Sequence, residues 1–233
     1  MPTNSLQVYL FDLDGTLHFS RPSGIQAFLE YGRDLGLSFG PEAVRLTQRW
    51  QHQFLADRAA NERLFAQLGE VEGWREITRR QLTLLGVSGP LDEYVLAIHA
   101  RFDADYKPAS FVPPETRTTL GALRERGYVT GLVSNRDSAL GPAAQEYGLD
   151  GLFDFTLSAG EARAWKPDPA IFHQALELAG VTPGAAVYVG DNYYADALGA
   201  RAAGLLPVLY DPTGLFPEAD CRVIRALSDL LEL

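Results

Sequence analysis

The fold of this 233-residue chain is decided near its amino terminus by the stretch Val8-Tyr9-Leu10-Phe11-Asp12-Leu13-Asp14-Gly15-Thr16-Leu17. An unbroken run of apolar residues with β-branched and aromatic members is typical of a strand buried on both faces. This run meets two carboxylates, Asp12 and Asp14, and then a glycine. An Asp-Gly pair also marks hairpin turns, but a turn would leave Asp12 unexplained. At the carboxyl end of a parallel strand, both carboxylates would face the crevice where open α/β sheets bind ligands.

Composition excludes several classes of protein. The chain is 46% apolar and 21% charged, which is ordinary for a globular protein. It has no apolar run of the ~20 residues needed to cross a bilayer, and its net charge of −10 argues against nucleic-acid binding. Cys221 is the only cysteine, so no internal disulfide can form. Because the first residues also lack a signal-peptide pattern, we expect a cytoplasmic protein.

Helical periodicity dominates the part of the chain that follows the first strand. From about residue 24 to residue 106, apolar residues recur at helical spacing and no strand-like run is present. A proline-rich segment at 107–114 is then typical of a linker. We therefore predict that 18–107 form a separate helical domain, of a size usual for a small domain.

The remainder of the chain alternates between short apolar runs and helical stretches. We predict strands near 128–133, 153–157, 185–189 and 206–210. We also predict a last helix near 222–231. Strands that alternate with helices of this length indicate right-handed βαβ units and a parallel sheet covered on both faces. The predicted fold is an α/β core at 1–17 and 108–233, interrupted by the helical insertion.

Polar side chains with useful chemistry gather at the carboxyl ends of the predicted strands. They are Asp12 and Asp14 after the first strand, Ser134 and Asn135 after the second, Asp191 and Asp196 after the fourth, and Lys166 in a Lys-Pro-Asp-Pro turn. Carboxylates this concentrated repel one another unless a cation neutralises them. Oxygen donors that include carboxylates suit Mg²⁺. A phosphate held there by the ion, the Lys166 ammonium and the Ser134 hydroxyl would be open to attack by a carboxylate.

The same residues fall into four motifs that follow one another along the chain. They are Asp12-Leu13-Asp14-Gly15-Thr16, Ser134-Asn135, Lys166-Pro167-Asp168-Pro169 and Gly190-Asp191-Asn192-Tyr193-Tyr194-Ala195-Asp196. In these motifs the sequence resembles the haloacid dehalogenase-like (HAD) hydrolase superfamily over essentially its whole length. Each motif alone is weakly specific, whereas four in order on the expected elements are strongly specific. The resemblance implies the HAD fold, a Rossmann-like parallel sheet with an inserted α-helical cap domain of the first type.

The resemblance also implies which residues are catalytic. Asp12 would be the nucleophile, with its other oxygen on Mg²⁺. Asp14 would protonate the leaving oxygen and then activate water, while its backbone carbonyl binds the metal. Lys166 would neutralise negative charge on the nucleophile and on the phosphoryl group. Phosphoryl transfer depends mainly on such positioning and charge neutralisation, so these roles agree with the physical interpretation.

The remaining motif residues would bind or support by the same resemblance. Ser134 and Asn135, together with Lys166, would hold the phosphoryl group, and Asp191 would hold Mg²⁺ directly or through water. Thr16 and Asp196 would support the site. Asp196 would do so either beside the metal or by orienting the lysine, and the sequence leaves both options open.

These features predict a Mg²⁺-dependent phosphatase that hydrolyses a small phosphorylated metabolite through an aspartyl-phosphate intermediate. A 2-haloacid dehalogenase of the same family is an alternative, but Asp14 argues against it, because dehalogenation needs no acid to protonate a leaving alkoxide. A sugar-phosphate mutase uses the same site and stays open. So does a non-catalytic binding protein, since a fold does not fix a function.

Less can be predicted about the substrate and the assembly. His18, Arg136 and Arg163 flank the motifs and are candidates for contacting the substrate. The identity of the metabolite and the cap residues that select it are not predicted. We expect neither nucleic acid nor a membrane among the partners, and either a monomer or a homodimer fits the sequence.

Overall fold

The computed structural model describes residues 6–233, which form two compact units. The first unit contains the chain up to Phe19 together with Ser110–Leu233, and the second is Ser20–Ala109. The chain therefore leaves the first unit after residue 19 and returns to it at residue 110. The sequence-based boundaries lay two residues earlier at both crossings, after residue 17 and before residue 108.

Strands belong mainly to the first unit, and long helices fill the second. The strands are β1 (Val8–Phe11), β2 (Phe19–Arg21), β3 (Ala109–Phe111), β4 (Val129–Ser134), β5 (Phe155–Ser158), β6 (Ala186–Gly190), β7 (Leu206–Tyr210) and β8 (Arg222–Ile224). The α-helices are α1 (Gly24–Asp34), α2 (Pro41–Ala56), α3 (Arg58–Leu84), α4 (Leu91–Asp105), α5 (Pro114–Glu125), α6 (Gly141–Glu146), α7 (Ala159–Ala162), α8 (Pro169–Ala179) and α9 (Leu198–Ala202). Short 3-10 helices lie at Pro183–Ala185 and Leu227–Glu232, and a π-helical turn lies at Tyr193–Ala197.

The first unit is built on a six-stranded sheet in the order β5-β4-β1-β6-β7-β8. Every neighbouring pair in this sheet is parallel. Strands β2 and β3, at the two chain crossings, form a separate pair. Because β1 lies between β4 and β6, the carboxyl ends of these three strands are side by side. The predicted α/β fold with a parallel sheet is confirmed.

Burial of β1 follows from its apolar sequence, since side chains alternate between the faces of a strand. Val8 and Leu10 pack into the cluster on one face, with residues of α7, α8 and α9. Tyr9 and Phe11 pack into the cluster on the other face, with residues of α5 and α6. All four side chains are at most 1% exposed. A strand covered on both faces needs apolar residues at successive positions, and β1 supplies them.

The predicted helix at 222–231 is wrong in its first part. Arg222–Ile224 is the sixth strand of the sheet, where Val223 pairs with Leu209 and Ile224 with Tyr210. A 3-10 helix follows only at Leu227–Glu232. Two adjacent β-branched residues favour a strand. A strand of only three residues, however, is too short to show the alternation of buried and exposed side chains that would distinguish it from the helical spacing of its neighbours.

The second unit consists of α1 to α4 around its own apolar core. Helix α1 begins with a capping box, in which the Ser23 hydroxyl accepts from the Gln26 amide at 3.3 Å and the Gln26 side chain accepts from the Ser23 amide at 2.8 Å. Helix α3 is interrupted at Gly69, whose φ of 77° is not helical. Phe28 and Ile98 are among the buried core residues. Within residues 6–233, no helix combines the length and the apolar character needed to cross a membrane.

Substitution of Gly160 tests how closely α7 packs against the loop that follows β4. A Cβ at this position would lie 1.8 Å from the backbone oxygen of Asp137, which can move only with the main chain. We expect Gly160→Ala to lower the free energy of unfolding by about 1–3 kcal/mol through overpacking, and thermal unfolding would show it. Gly121→Ala in α5 is the control, because its Cβ meets nothing within 4 Å. Alanine there should leave stability unchanged or raise it by up to ~1 kcal/mol. Equal stability of Gly160→Ala and wild type would contradict this packing.

Candidate active site

The sheet order brings the predicted site residues to one edge. Asp12 directly follows β1, Ser134 is the last residue of β4, and Asp191 directly follows β6. The register pairs Phe11, the last residue of β1, with Leu132 on β4 and with Val189 on β6, so the three strands end within two residues of one another. The Asp12 amide continues the ladder by donating to the Val189 carbonyl at 2.9 Å. Side chains far apart in sequence therefore meet at the position predicted for them.

A buried ammonium group lies at the centre of this edge. Lys166 Nζ donates to Asp12 Oδ1 at 2.6 Å and to Asp196 Oδ1 at 2.7 Å. The Lys166 side chain is only 3% exposed. A charge removed from water in this way is stable only when it is paired, and two carboxylates pair this one. The structure thus places the predicted nucleophile in direct contact with the predicted lysine.

Two residues hold Lys166 in position, Asn135 directly after β4 and Tyr188 on β6. The Asn135 side chain accepts from the Lys166 amide at 2.7 Å and donates to its carbonyl at 3.0 Å. Tyr188 on β6 places its ring 5.4 Å from Lys166 Nζ, and its hydroxyl donates to the Val133 carbonyl at 2.9 Å. An ammonium over an aromatic face is stabilised by the ring quadrupole. The side chain of Asn135, predicted to bind phosphate, is therefore engaged with the main chain of the lysine.

The fourth motif holds Asp196 by its local backbone structure. Asn192 caps the π-helical turn, and its side chain accepts from the amides of Tyr194 and Ala195 at 3.0 and 3.1 Å. The backbone amide of Asn192 donates to Asp196 Oδ2 at 2.9 Å, while the Lys166 ammonium donates to Oδ1. Both oxygens of this carboxylate are thus occupied by donors. Of the two roles that the sequence left open for Asp196, this geometry favours orienting the lysine.

Three carboxylates offer a set of donors for a cation. One oxygen each from Asp12, Asp191 and Asp196 lie within 4.8 Å of one another. Asp191 approaches the turn after β1 closely: a Cβ on Gly15, whose φ is +89°, would lie 2.5 Å from its Oδ2. Thr16 Oγ1 donates to Asp191 Oδ1 over 3.4 Å. Glycine at position 15 therefore permits both the turn and the approach of the carboxylate.

Burial and mutual repulsion raise the pKa values of Asp12 and Asp191, so the ionised forms of both carboxyls need a positive charge nearby. Burial raises the pKa of Asp12 to about 7, opposed by the charge of Lys166 and reinforced by that of Asp196. Burial also raises the pKa of Asp191 well above its usual value, and the charges of Asp12 and Asp196 add to the shift. Burial alone would lower the pKa of Lys166, but Asp12 and Asp196 raise it well above normal. Hard oxygen donors crowded in this way fit Mg²⁺.

Asp14 lies in a different environment from Asp12, although only one residue separates them. Its side chain is 46% exposed and accepts from Arg136 twice, from Nε to Oδ2 at 2.8 Å and from Nη2 to Oδ1 at 2.7 Å. His18 Nδ1 is 3.1 Å from Oδ1. Burial would raise the pKa of Asp14, but hydrogen bonds from Arg136 and His18 lower it. The side chain of Asp14 is not part of the carboxylate cluster.

The groups around Asp14 are themselves held firmly. The rings of His18 and Tyr147 stack with centroids 3.8 Å apart and an angle of 8° between them. Arg136 lies 5.5 Å from the centroid of the Tyr147 ring, and its Nη2 donates to the Tyr147 hydroxyl at 3.2 Å. His18 Nε2 is 2.7 Å from the Ser110 hydroxyl. Two of the three residues proposed to contact the substrate, His18 and Arg136, thus contact Asp14.

Sequence reasoning missed part of this site. The third candidate for substrate contact, Arg163, is exposed at the end of α7 with a left-handed φ of 52°. Tyr188 was not singled out, because a tyrosine inside a buried strand has the same pattern as any core residue. The signal that could have identified the Asp14 pair was the position of Arg136, directly after the Ser-Asn motif and hence at the same edge as β1.

Comparison with known proteins settles the family. The sequence profile of the haloacid dehalogenase-like hydrolases matches residues 6–204. The chain belongs to this family. It is an enzyme of the hydrolase class, and the predicted family membership is confirmed by both sequence and structure.

Several relatives of this HAD hydrolase are known by sequence or by structure. Haloacid dehalogenase-like hydrolase domain-containing protein 3 of Bos taurus is 32% identical over 86% of the chain and 80% of its own length. Phosphoglycolate phosphatase of Pseudomonas putida is 30% identical over 85% and 67%. The crystal structure of a HAD phosphatase from Thermococcus onnurineus matches with a TM-score of 0.58 and 26% identity, covering 97% of both chains. Solved 2-haloacid dehalogenases resemble the chain at 24% and 22% identity, which is a likeness of fold alone.

Asp196→Asn tests the buried pair of this HAD hydrolase. Because both oxygens of Asp196 accept hydrogen bonds, the amide nitrogen of asparagine must face either the Lys166 ammonium or the Asn192 amide. We expect a loss of about 1–3 kcal/mol of stability from the unsatisfied donor. The control is Asp220→Asn, which affects a pair with Arg201 in which Asp220 is 62% exposed, and it should cost clearly less stability because solvent screens the pair. Equal effects in denaturant unfolding would argue against a buried ion pair.

Proposed function

We propose that this enzyme is a Mg²⁺-dependent phosphatase that hydrolyses a small phosphate monoester through an aspartyl phosphate on Asp12. The single observation that carries the proposal is the Lys166 ammonium, 2.6 Å from Asp12 Oδ1 beside a set of carboxylate donors. A cationic group fixed on a carboxylate at the mouth of an α/β sheet suits transfer of an anionic phosphoryl group. The phosphatase names of relatives support the same class of reaction.

In the first half-reaction an oxygen of Asp12 attacks phosphorus. The bond between phosphorus and the ester oxygen breaks, and that oxygen takes a proton from the Asp14 carboxyl. Lys166 neutralises charge on the transferred group, and the hydroxyl of Ser134, at the end of β4, donates a hydrogen bond to a phosphoryl oxygen. The products of this step are the free alcohol and the aspartyl phosphate.

In the second half-reaction water attacks the phosphorus of the aspartyl phosphate. Asp14, now ionised, takes a proton from the water, and the bond between phosphorus and Asp12 breaks. Inorganic phosphate leaves, and both carboxyl groups return to their starting states. Asn135 and Asp196 act by holding the lysine: Asn135 holds its main chain and Asp196 its ammonium group.

The carboxylate cluster would hold the metal ion. Asp12 and Asp191 would bind it through carboxylate oxygens, and Asp14 through its backbone carbonyl, as predicted from the family motifs. Bound Mg²⁺ would supply charge neutralisation at the transferred phosphoryl oxygens. Asp196 contributes to the lysine instead of the ion in this proposal, because both of its oxygens already accept hydrogen bonds.

A phosphatase fits the site better than its rivals do. Dehalogenation has no use for a second carboxyl at the position of Asp14, yet Asp14 is held there by two side chains. A non-catalytic protein has no need of a lysine buried between two carboxylates, which is costly to fold. A sugar-phosphate mutase would use the same site, and only an experiment can distinguish it from a phosphatase. The cytoplasmic location and a monomeric or homodimeric state stay predictions.

Asp12→Asn tests the nucleophile. We expect a loss of at least ~10³-fold in kcat for p-nitrophenyl phosphate with Mg²⁺, because an amide oxygen is a poor nucleophile. Asp154→Asn is the control and should keep wild-type turnover, because Asp154 directly precedes β5 at the amino edge of the sheet, whereas the cluster lies at the carboxyl edge. Circular dichroism would verify that both variants fold. Substantial phosphatase activity of folded Asp12→Asn would contradict the assignment of Asp12 as the nucleophile.

Removal of metal tests the role of the carboxylate cluster. Excess chelator should stop phosphate release, and added Mg²⁺ should restore it. Asp191→Asn should raise the Mg²⁺ concentration needed for half-maximal rate, since one charged donor is lost. Thr16→Ser keeps the hydroxyl near Asp191 and serves as a conservative control. Full activity in chelator would contradict metal dependence, whereas a requirement for a bisphosphate activator would indicate a mutase.

A further inference from the structure

The turn that follows β6 makes a set of aromatic contacts that the proposed reaction does not use. This turn carries Asp191 and, two and three residues later, Tyr193 and Tyr194. The ring of Phe216 stacks on Tyr193 with centroids 5.5 Å apart, and its centroid is 5.9 Å from that of Tyr194 in an edge contact. The two tyrosine rings are 5.5 Å apart. Three rings thus pack against one another on the main chain that directly follows Asp191.

Phe216 belongs to the loop between β7 and β8, residues 211–221, and a buried carboxylate fixes this loop. Asp211 directly follows β7 and is 4% exposed. Its Oδ1 accepts from the Leu215 amide at 2.8 Å, and its Oδ2 accepts from the Phe216 amide at 2.9 Å. A carboxylate removed from water needs such donors, so the loop is folded around Asp211. The main chain of Phe216 is therefore held at a fixed place beside the sheet.

The same loop also holds the hydroxyl end of Tyr193. This hydroxyl donates to Asp220 Oδ1 at 2.9 Å. Arg201 in α9 donates to the two carboxylate oxygens of Asp220, at 2.8 and 2.6 Å, and to its backbone carbonyl at 2.9 Å. An exposed ion pair of this kind contributes little to stability. Its effect is on geometry, because it fixes the direction of the Tyr193 ring.

We propose that Phe216 and Tyr193 are positioning residues for the metal site, and that the loop 211–221 holds Asp191 where it binds a divalent cation. Since this role concerns Mg²⁺, it rests on the proposed function. Phe216 lies outside the four motifs and beyond residues 6–204, the part of the chain that the family profile matches. The role is therefore a property of this chain's own loop.

Asp191 depends on its main chain more than the other carboxylates of the cluster do. Thr16 Oγ1 donates to it over 3.4 Å, a long hydrogen bond, whereas Asp12 and Asp196 accept from Lys166 at 2.6 and 2.7 Å. When a binding geometry is populated for only part of the time, the apparent Kd rises in inverse proportion to that fraction. A looser turn would therefore weaken cation binding even though every donor is still present.

The experiment measures the affinity for Mg²⁺ in the absence of substrate. Isothermal calorimetry gives the Kd of the full chain and of each variant. We expect Phe216→Leu to raise this Kd about 10-fold, the usual effect of removing a group that supports a metal ligand. The kcat for p-nitrophenyl phosphate at saturating Mg²⁺ should change much less, because the donors and Lys166 are intact. A general loss of folded protein would instead lower the rate without changing the Kd.

Phe28→Leu is the matched control for the loss of the ring. Phe28 and Phe216 are both 3% exposed, but Phe28 lies in the core of the helical unit. Both substitutions remove a buried ring, so both should lower the temperature of thermal unfolding. Phe216→Leu alone should change the Kd of Mg²⁺.

Tyr193→Phe is a milder variant that keeps the ring and removes the hydroxyl. We expect it to raise the Kd of Mg²⁺ about 2- to 10-fold, the effect of one hydrogen bond. Its control is Tyr106→Phe, which removes a hydroxyl that donates to the Pro22 carbonyl at 3.3 Å in the helical unit. This control should keep the wild-type Kd.

Each outcome supports or overturns the role of the loop. Weaker Mg²⁺ binding by Phe216→Leu but not by Phe28→Leu supports it. An unchanged Kd for Phe216→Leu, or an equal rise for both variants, overturns it. If Phe216→Leu does not fold, Tyr193→Phe against Tyr106→Phe decides in the same way. A wild-type enzyme that binds no Mg²⁺ and releases phosphate in chelator overturns the proposed metal-dependent function itself.

Discussion

The ammonium of Lys166, buried between Asp12 and Asp196, is the interaction on which the arrangement of the site depends. Asp12 comes from the end of β1 and Asp196 from the turn after β6, and a shared cation offsets part of their mutual repulsion. Asn135 from the end of β4 holds the main chain of the same lysine. Three adjacent strands thus deliver one group each to a single charged centre. The parallel sheet is the frame that makes this convergence possible.

A large part of this arrangement could be predicted from sequence because it depends on short contiguous segments. The apolar run of β1 predicts burial on both faces, and the motif after it predicts where the carboxylates begin. Adjacent parallel strands carry their end residues to one edge whatever the loops between them do. The placement of Asp12, Ser134 and Asp191 at one edge therefore follows from strand order, whereas the contacts of Lys166, which lies between α7 and α8, do not.

Other features could not be predicted, and the reasons are physical. The Arg136–Asp14 pair depends on which rotamers two long side chains choose, and a sequence does not fix rotamers. In the sequence, Tyr188 has the pattern of any buried core residue. Its contact with Lys166 is visible only in the structure. Strand β8 is an edge strand of three residues, stabilised by pairing with β7 and not by a periodic pattern of its own. Tertiary context decided each of these cases.

Asp12 and Asp14 show how the environment separates two identical side chains. Burial raises the pKa of Asp12 to about 7, whereas Arg136 and His18 lower that of Asp14 against the effect of burial. From protein groups alone, the carboxyl proposed as the nucleophile is the one that holds a proton more readily, and the carboxyl proposed as the acid is the one held ionised. The proposed chemistry needs the reverse order. A cation at the carboxylate cluster would favour the ionised form of Asp12, and separation of the Asp14 carboxylate from Arg136 would remove the main group that lowers the pKa of Asp14. The proposed reaction therefore requires two changes of charge relative to the conformation described here, a cation beside Asp12 and an Asp14 carboxyl released from Arg136.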